Sequence, residues 1–93
     1  RTLFPYTTLF RSMTMTYGKH GIRINCVSPG FINTPFQQDP QMAASQAKIP
    51  TIVPQGRSGE AEEVAKAAMF LASEMSSYIN GHNLFVDGGW NAA

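Results

Sequence analysis

Residues 29–35 have the residue types expected at the edge of a ligand site. Pro29 fixes its own backbone φ angle, and Gly30 allows the backbone to come close to a flat ligand. Backbone groups at Ile32, with the Thr34 hydroxyl nearby, supply the donors and acceptors that a planar amide such as a carboxamide requires. A Pro-Gly pair after a strand is more often an ordinary turn, and that alternative stays open on the residues alone.

Regular elements are predicted on both sides of this segment. Residues 22–28, IRINCVS, are rich in β-branched and apolar residues and stop at Pro-Gly, which predicts a strand. Residues 83–86 predict a second short strand after the Asn-Gly turn at 80–81. Between them, residues 31–59 are expected to make a long excursion with one short helix at 41–48, and a longer helix is predicted over 60–75.

The predicted helix over 60–75 has apolar residues at the spacing of one buried face. This face consists of Ala61, Val64, Ala65, Ala68, Leu71, Ala72 and Met75. Ser58 or Gly59 is expected to cap its start. Three glutamates in the first turn could suggest a metal or acid/base cluster, but negative charge at a helix N-terminus is typical of a solvated first turn.

This order of elements predicts a βαβ unit. Its two strands should be parallel and joined by a right-handed crossover, and ligands bind beyond the carboxyl ends of such strands. Two strands cannot bury both faces of a parallel sheet. We therefore expect a chain that is marginally stable by itself.

The composition excludes several classes of function. A chain of 93 residues with a formal net charge of +1 gives no electrostatic argument for binding nucleic acid or an anionic membrane. No run approaches the roughly 20 apolar residues that span a bilayer. The single cysteine, Cys26, excludes an internal disulfide, and two isolated histidines suggest no metal site. A cytoplasmic location is the default expectation.

Residues 1–12 do not match the rest of the chain. Residues 2–12, TLFPYTTLFRS, closely resemble the translation of a common sequencing-adapter oligonucleotide, and they have no periodicity that leads into the next segment. We therefore predict that residues 1–12 are an artefactual, unstructured leader. A natural N-terminal strand or arm is the alternative.

Two stretches resemble the short-chain dehydrogenase/reductase family. Residues 17–35, YGKHGIRINCVSPGFINTP, are similar to that family's sixth strand and the Pro-Gly loop after it. Residues 56–89 continue through Gly-Arg, Gly-Glu, Glu-Glu, Phe-Leu-Ala-Ser and a final Val-Asp-Gly-Gly in the family's order. The resemblance implies an α/β fold in which residues 13–93 form the C-terminal βαβ portion of a Rossmann-type doubly wound parallel sheet, an incomplete domain.

The resemblance also implies a nicotinamide pocket shaped by Pro29 and Gly30. Ile32 would offer its backbone to the carboxamide of NAD or NADP, and Thr34 would add a side-chain hydrogen bond. Residues 36–53 would correspond to a substrate loop that covers the site. Three side chains are candidates for substrate contact, with ordinary packing as the open alternative: Phe31, Phe36 and Ile49.

The family's catalytic motifs are absent from this sequence. Its Tyr-x-x-x-Lys pair is missing, because Tyr6, Tyr17 and Tyr78 are followed four residues later by Phe10, Gly21 and His82. No GxGxxG or GxxxGxG turn occurs. The resemblance therefore implies that the catalytic residues lie upstream and that this chain alone is inactive.

As a whole, the resemblance implies an NAD(P)-dependent oxidoreductase that interconverts carbonyl and alcohol groups of a small molecule by hydride transfer. The parent is expected to be a homo-oligomer, a dimer or tetramer, with Trp90 near a subunit interface. Two alternatives stay open: a non-catalytic Rossmann-fold binding or scaffold protein, and a sequencing product without independent function.

Overall fold

The computed structural model describes residues 5–35 and 39–92. Within these ranges the helices are α1 Pro5–Tyr17, α2 Ala43–Ile52 and α3 Ala61–Ala72. The strands are β1 Cys26–Pro29, β2 Ile32–Asn33, β3 Gly59–Glu60 and β4 Asn83–Val86. Short 3-10 turns lie at Gly18–His20, Pro40–Met42, Glu74–Ser76 and Trp90–Ala92. Among the described helices, none combines the length and apolarity that a bilayer crossing requires.

Strands β1 and β4 are parallel neighbours, with Cys26 opposite Asn83 and Pro29 opposite Val86. Helix α3 lies between them in the chain, so the predicted βαβ unit and its parallel pairing are confirmed. The second strand has the predicted bounds. A second parallel ladder joins β2 to β3 immediately beyond β1, and no residue pattern had predicted it.

Strand β1 is shorter than the prediction of residues 22–28. The residues before it are held by a turn at Asn80 and Gly81 rather than by a strand partner. The Ile24 N–H donates to Asn80 Oδ1 at 2.9 Å, and the Gly81 N–H donates to Ile24 O at 2.9 Å. Because an asparagine side chain supplies one of these bonds, the segment lacks the regular ladder of a strand.

Helix α3 starts later and ends earlier than predicted. Its N-cap is Glu60, whose N–H donates to Glu63 Oε1 at 2.9 Å, rather than Ser58 or Gly59. The helix cannot begin sooner because Gly59 and Glu60 pair with β2. It ends at Ala72 because Ser73 is extended, with ψ 170°, and accepts the Met75 N–H on its side chain.

The buried face of α3 is only partly as predicted. Leu71 is buried and Val64 is half-buried, whereas Met75 is 81% exposed. The other predicted members are exposed, and this part of the prediction is wrong: Ala61, Ala65, Ala68 and Ala72. No described element covers that stripe, and Ala68, Leu71 and Ala72 line an open groove beside β1.

Helix α1 includes residues 5–12, for which the sequence predicted no structure, so that expectation is corrected here. Proline suits a first helical position because its fixed φ matches the helix and its missing N–H is not needed there. Further along the helix, the Thr14 hydroxyl donates to Phe10 O at 3.1 Å. The adapter origin of residues 2–12, and the assignment of residues 13–93 to one domain, stay predictions.

The excursion contains the expected short helix in a longer form. The structure places a 3-10 turn at Pro40–Met42, followed by α2, which continues through Pro50 to Ile52. The Val53 N–H closes the last turn on Ile49 O at 2.9 Å. Among the described residues the buried hydrophobic side chains are Ile49, Val53 and Leu71. This core is small for a chain of this length. We therefore still expect the two-stranded sheet to need further packing partners.

Arg23 joins the segment just before β1 to the C-terminal end of α3. Its Nη1 donates to Ser76 O and Ser76 Oγ, both at 2.8 Å, and to Leu71 O at 3.2 Å, while Nη2 donates to Ser73 O at 3.2 Å. Ser76 is 1% exposed. A cation that donates to the free carbonyls at a helix C-terminus also stabilises the helix dipole.

We expect Arg23→Met to lower the free energy of unfolding of the full-length protein by about 2–3 kcal/mol, because several buried carbonyls lose a charged donor. Urea unfolding measures this change. The control Lys66→Met removes an exposed cation that pairs with Glu62 on the same helix, and it should cost less than about 0.5 kcal/mol. Equal effects of the two variants would contradict the assigned role of Arg23.

Candidate functional site

The end of β1 is joined closely to the end of β4. Pro29 is exposed at the last ladder position, and the Gly30 N–H continues the ladder by donating to Val86 O at 3.0 Å. A Cβ atom at position 30 would lie 2.7 Å from Asp87 Cβ and 2.9 Å from Asp87 Cα. Glycine is therefore required here by Asp87, a constraint that residue patterns alone did not reveal. The approach of a flat ligand to the Gly30 backbone stays a prediction.

The chain beyond Gly30 turns into the β2–β3 ladder. The Gly59 N–H donates to Phe31 O at 2.8 Å, and Ile32 lies opposite Gly59. In a parallel ladder, alternate residues direct their N–H and C=O groups to opposite sides of the strand. Because the Phe31 carbonyl points to β3, the backbone groups of Ile32 point away from β3. Thr34 follows β2 and is half-buried.

The three candidate substrate contacts have different environments. The ring of Phe31 packs on the ring of Trp90, with centroids 4.7 Å apart and planes at 44°. Ile49 is 3% exposed and belongs to the core, which favours the packing alternative. Phe36 lies outside the described residues. Contact of these side chains with a substrate stays a prediction.

The Asp87–Asn91 turn organises the chain after β4. The Asp87 carboxylate accepts the Gly89 N–H on Oδ1 at 3.1 Å and the Asn91 N–H on Oδ2 at 2.8 Å. Gly88 and Gly89 have φ angles of +64° and +94°, a region that favours glycine. The sequence pattern gave this Asp-Gly-Gly only as part of the Val-Asp-Gly-Gly that resembles the family. An aspartate followed by two glycines was the signal that could have predicted a turn closed by the aspartate side chain.

A small cavity lies between this turn and the start of α3. It is lined by Gln55, Arg57, Gly59, Glu63, Val86, Asp87 and Gly88. Arg57 donates to both oxygens of Glu63, at 2.9 and 3.0 Å. This bidentate hydrogen bond, together with the N–H of Glu60, lowers the pKa of Glu63 from 4.5 to about 2. Glu63 therefore stays ionised beside the cavity at neutral pH.

The fold and the site together define an α/β protein of the class that binds ligands at the carboxyl edge of a parallel sheet. The family model for enoyl-(acyl carrier protein) reductase matches residues 6–91. The chain belongs to the short-chain dehydrogenase/reductase family and forms part of a Rossmann-type domain.

Curated relatives support this assignment. Over 83 residues the chain is 41% identical to 3beta-hydroxysteroid dehydrogenase 1 of Eggerthella lenta, covering 87% of this chain and 31% of that protein. It is 45% identical over 84 residues to the mitochondrial borneol dehydrogenase of Lavandula x intermedia, covering 87% of this chain and 30% of that protein. The chain thus spans about a third of the length of these relatives.

Solved structures share the fold of the described residues. A gluconate 5-dehydrogenase from Burkholderia cenocepacia, in complex with NADP and tartrate, is 35% identical with a TM-score of 0.84, covering 95% of this chain and 35% of that one. A 4-hydroxyisoleucine dehydrogenase complexed with NADH is 30% identical with a TM-score of 0.79, covering 94% and 35%.

We expect Gly30→Ala to lower the free energy of unfolding by about 1–3 kcal/mol, because the added methyl group overlaps the backbone of Asp87. Thermal or urea unfolding of the full-length protein measures this change. Gly18→Ala is the matched control, since its Cβ would meet only the Asn80 side chain at an ordinary 3.4 Å. A Gly30→Ala protein as stable as the control would show that the close approach is not there.

We also expect an acid-dependent contribution from Glu63. Because its folded pKa is lowered from 4.5 to about 2, the stabilisation is present above pH 4.5 and is lost as the pH falls towards 2. An NMR titration of the Glu63 carboxyl carbon measures this pKa. Arg57→Met should raise it clearly and Lys66→Met only slightly. A Glu63 pKa that Arg57→Met leaves unchanged would refute the assigned cause.

Proposed function

We propose that this chain is the nicotinamide-side part of an NAD(P)-dependent oxidoreductase that interconverts carbonyl and alcohol groups. Family membership supports the reaction class, and the relatives named above are dehydrogenases of a 3beta-hydroxysteroid, borneol, gluconate and 4-hydroxyisoleucine. The parent substrate is accordingly a small molecule with a secondary alcohol or its ketone. Since the chain covers about a third of its relatives, this activity belongs to the parent protein.

The observation that carries the proposal is the direction of the Ile32 backbone. The carbonyl of Phe31 accepts the Gly59 N–H, so Ile32 presents one donor and one acceptor on the side of β2 away from β3. A carboxamide needs one acceptor for its NH₂ group and one donor for its oxygen. Ile32 supplies both at the carboxyl edge of the sheet, where Rossmann-type sites lie.

The residues present fit a nicotinamide cofactor, NAD or NADP. When bound, this group supplies or receives the hydride. In our proposal Ile32 and Thr34 orient the carboxamide, and Pro29 with Gly30 holds the loop at the edge of the sheet. The phosphate-binding turn and the residue that protonates the carbonyl oxygen belong to the upstream part, so this chain alone does not complete the reaction.

The proposal also includes the cellular location and the oligomeric state of the parent protein. We place the parent in the cytoplasm as a homo-oligomer, a dimer or a tetramer. Gel filtration with light scattering on the parent, and a fluorescent fusion in the source cells, would test these two statements.

The deciding experiment recovers the full reading frame from the source DNA and assays the protein at 340 nm with NADH and NADPH. The substrate panel contains sugar, hydroxysteroid and terpenol oxidation products. We expect an upstream Tyr-x-x-x-Lys and a Gly-rich turn, and turnover with at least one combination of cofactor and substrate. A frame without either motif would contradict the proposal. An intact Gly-rich turn with a replaced Tyr or Lys, and cofactor binding without turnover, would favour a binding or scaffold protein.

The same enzyme tests the cofactor contacts. Thr34→Val removes the hydroxyl and keeps the shape, and we expect it to raise the KM for the cofactor about fivefold to tenfold, the value of one hydrogen bond. Thr34→Ser keeps the hydroxyl and should stay close to the parent. An unchanged KM in Thr34→Val would remove Thr34 from the site.

A further inference from the structure

The Asp87–Asn91 turn contacts two other elements of the structure. One is the Pro-Gly loop at residues 29–34, and the other is the C-terminal end of α2. The turn is held in shape by three internal hydrogen bonds. The Asp87 carboxylate accepts two of them, and Asp87 O accepts the Trp90 N–H at 3.2 Å.

Towards the Pro-Gly loop, the turn makes a backbone contact and a ring contact. The backbone of Asp87 lies so close to Gly30 that a Cβ at position 30 would be 2.7 Å from Asp87 Cβ. Trp90, which comes after the two glycines, packs its ring on Phe31 at 4.7 Å. Because Phe31 immediately precedes Ile32, a displacement of Trp90 is transmitted to the backbone that we assign to the carboxamide.

Towards α2, the same turn packs on the residues after the helix. The Gln55 N–H donates to Gly88 O at 3.0 Å. A Cβ at Gly88 would lie 2.8 Å from Val53 Cγ1, and a Cβ at Gly89 would lie 3.1 Å from the Pro54 ring. Val53 is 3% exposed, so the end of α2 packs on the turn and is not open to solvent at this residue.

We propose that Asp87 is a positioning residue that sets the arrangement of the Pro-Gly loop and α2 through the turn it caps. This inference rests on the proposed function, and it takes α2 as part of the substrate loop that the family resemblance implies for residues 36–53. Both carboxylate oxygens of Asp87 accept N–H groups of the turn itself, so we assign it a role that acts through the turn. Its two charge-assisted hydrogen bonds favour one turn conformation, and that conformation keeps both flanking elements in place.

The kinetic consequence comes from a population argument. When the binding-competent arrangement is only partly populated, the apparent affinity falls by that fraction, whereas the saturated enzyme recovers the competent state. Loss of the Asp87 carboxylate should therefore raise the KM for the carbonyl substrate about tenfold and change kcat less than about twofold. Asp87→Asn keeps one acceptor oxygen, so its effect should be smaller than that of Asp87→Ala.

The test uses the full-length enzyme with Asp87→Ala, Asp87→Asn and the control Ser73→Ala. Ser73 caps a different 3-10 turn, at Met75, and its loss should leave KM unchanged. Hydrogen exchange is measured on the same proteins. We expect faster exchange confined to the turn itself, whose Gly89 and Asn91 N–H groups lose their acceptor, and to residues 29–34 and 49–55 in the two Asp87 variants.

The outcomes separate this inference from the proposed function. A parent enzyme with no NAD(P)-dependent turnover would refute the proposed function, and the exchange pattern would then decide the positioning role by itself. Faster exchange throughout the protein, or no change at either segment, would overturn the inference. Loss of kcat with an unchanged KM would overturn it too. If Asp87→Ala does not fold, the KM and exchange of Asp87→Asn decide in the same way.

Discussion

The structure depends on the contact between the ends of two parallel strands. The Gly30 N–H donates to Val86 O, and the absence of a side chain at position 30 lets the backbone of Asp87 lie against the loop. The Pro-Gly loop begins at this contact, and the Asp87–Asn91 turn begins on its other side. The Pro-Gly loop and the turn are both positioned from this contact. A larger residue at position 30 would separate the two strand ends, and the orientation of Ile32 would be lost with them.

Two groups of polar contacts, one at each end of α3, support this arrangement of the strand ends. Just before β1, Arg23 donates to backbone carbonyls at the end of α3 and so ties that end of the helix to the sheet. At the carboxyl end, the Arg57–Glu63 pair and the cap at Glu60 fix the start of α3 beside β3. Hydrogen-bonded side chains carry much of the local order, because few described hydrophobic side chains are buried.

Residue patterns predicted the elements with strong periodicity and failed where long-range pairing decides. The strand at Asn83–Val86 and the parallel βαβ unit were predicted from composition and spacing. The two-residue strands β2 and β3 could not be found, because they are defined by the pairing of residues 32 and 33 with residues 59 and 60, which are distant in the sequence. The cap at Glu60 was missed for the same reason. In the candidate site, the roles of Pro29, Gly30 and Ile32 stay predictions. The dependence of Gly30 on Asp87 is a contact between residues 57 positions apart, which no local pattern contains.

The central claim is that the backbone of Ile32 receives the carboxamide of a nicotinamide cofactor. A crystal structure of the full-length protein with NADP or NAD measures this directly. We predict the carboxamide nitrogen and oxygen at about 2.9 Å from the carbonyl and N–H of Ile32. A bound cofactor whose nicotinamide ring lies elsewhere, with Ile32 paired to another strand, would contradict it.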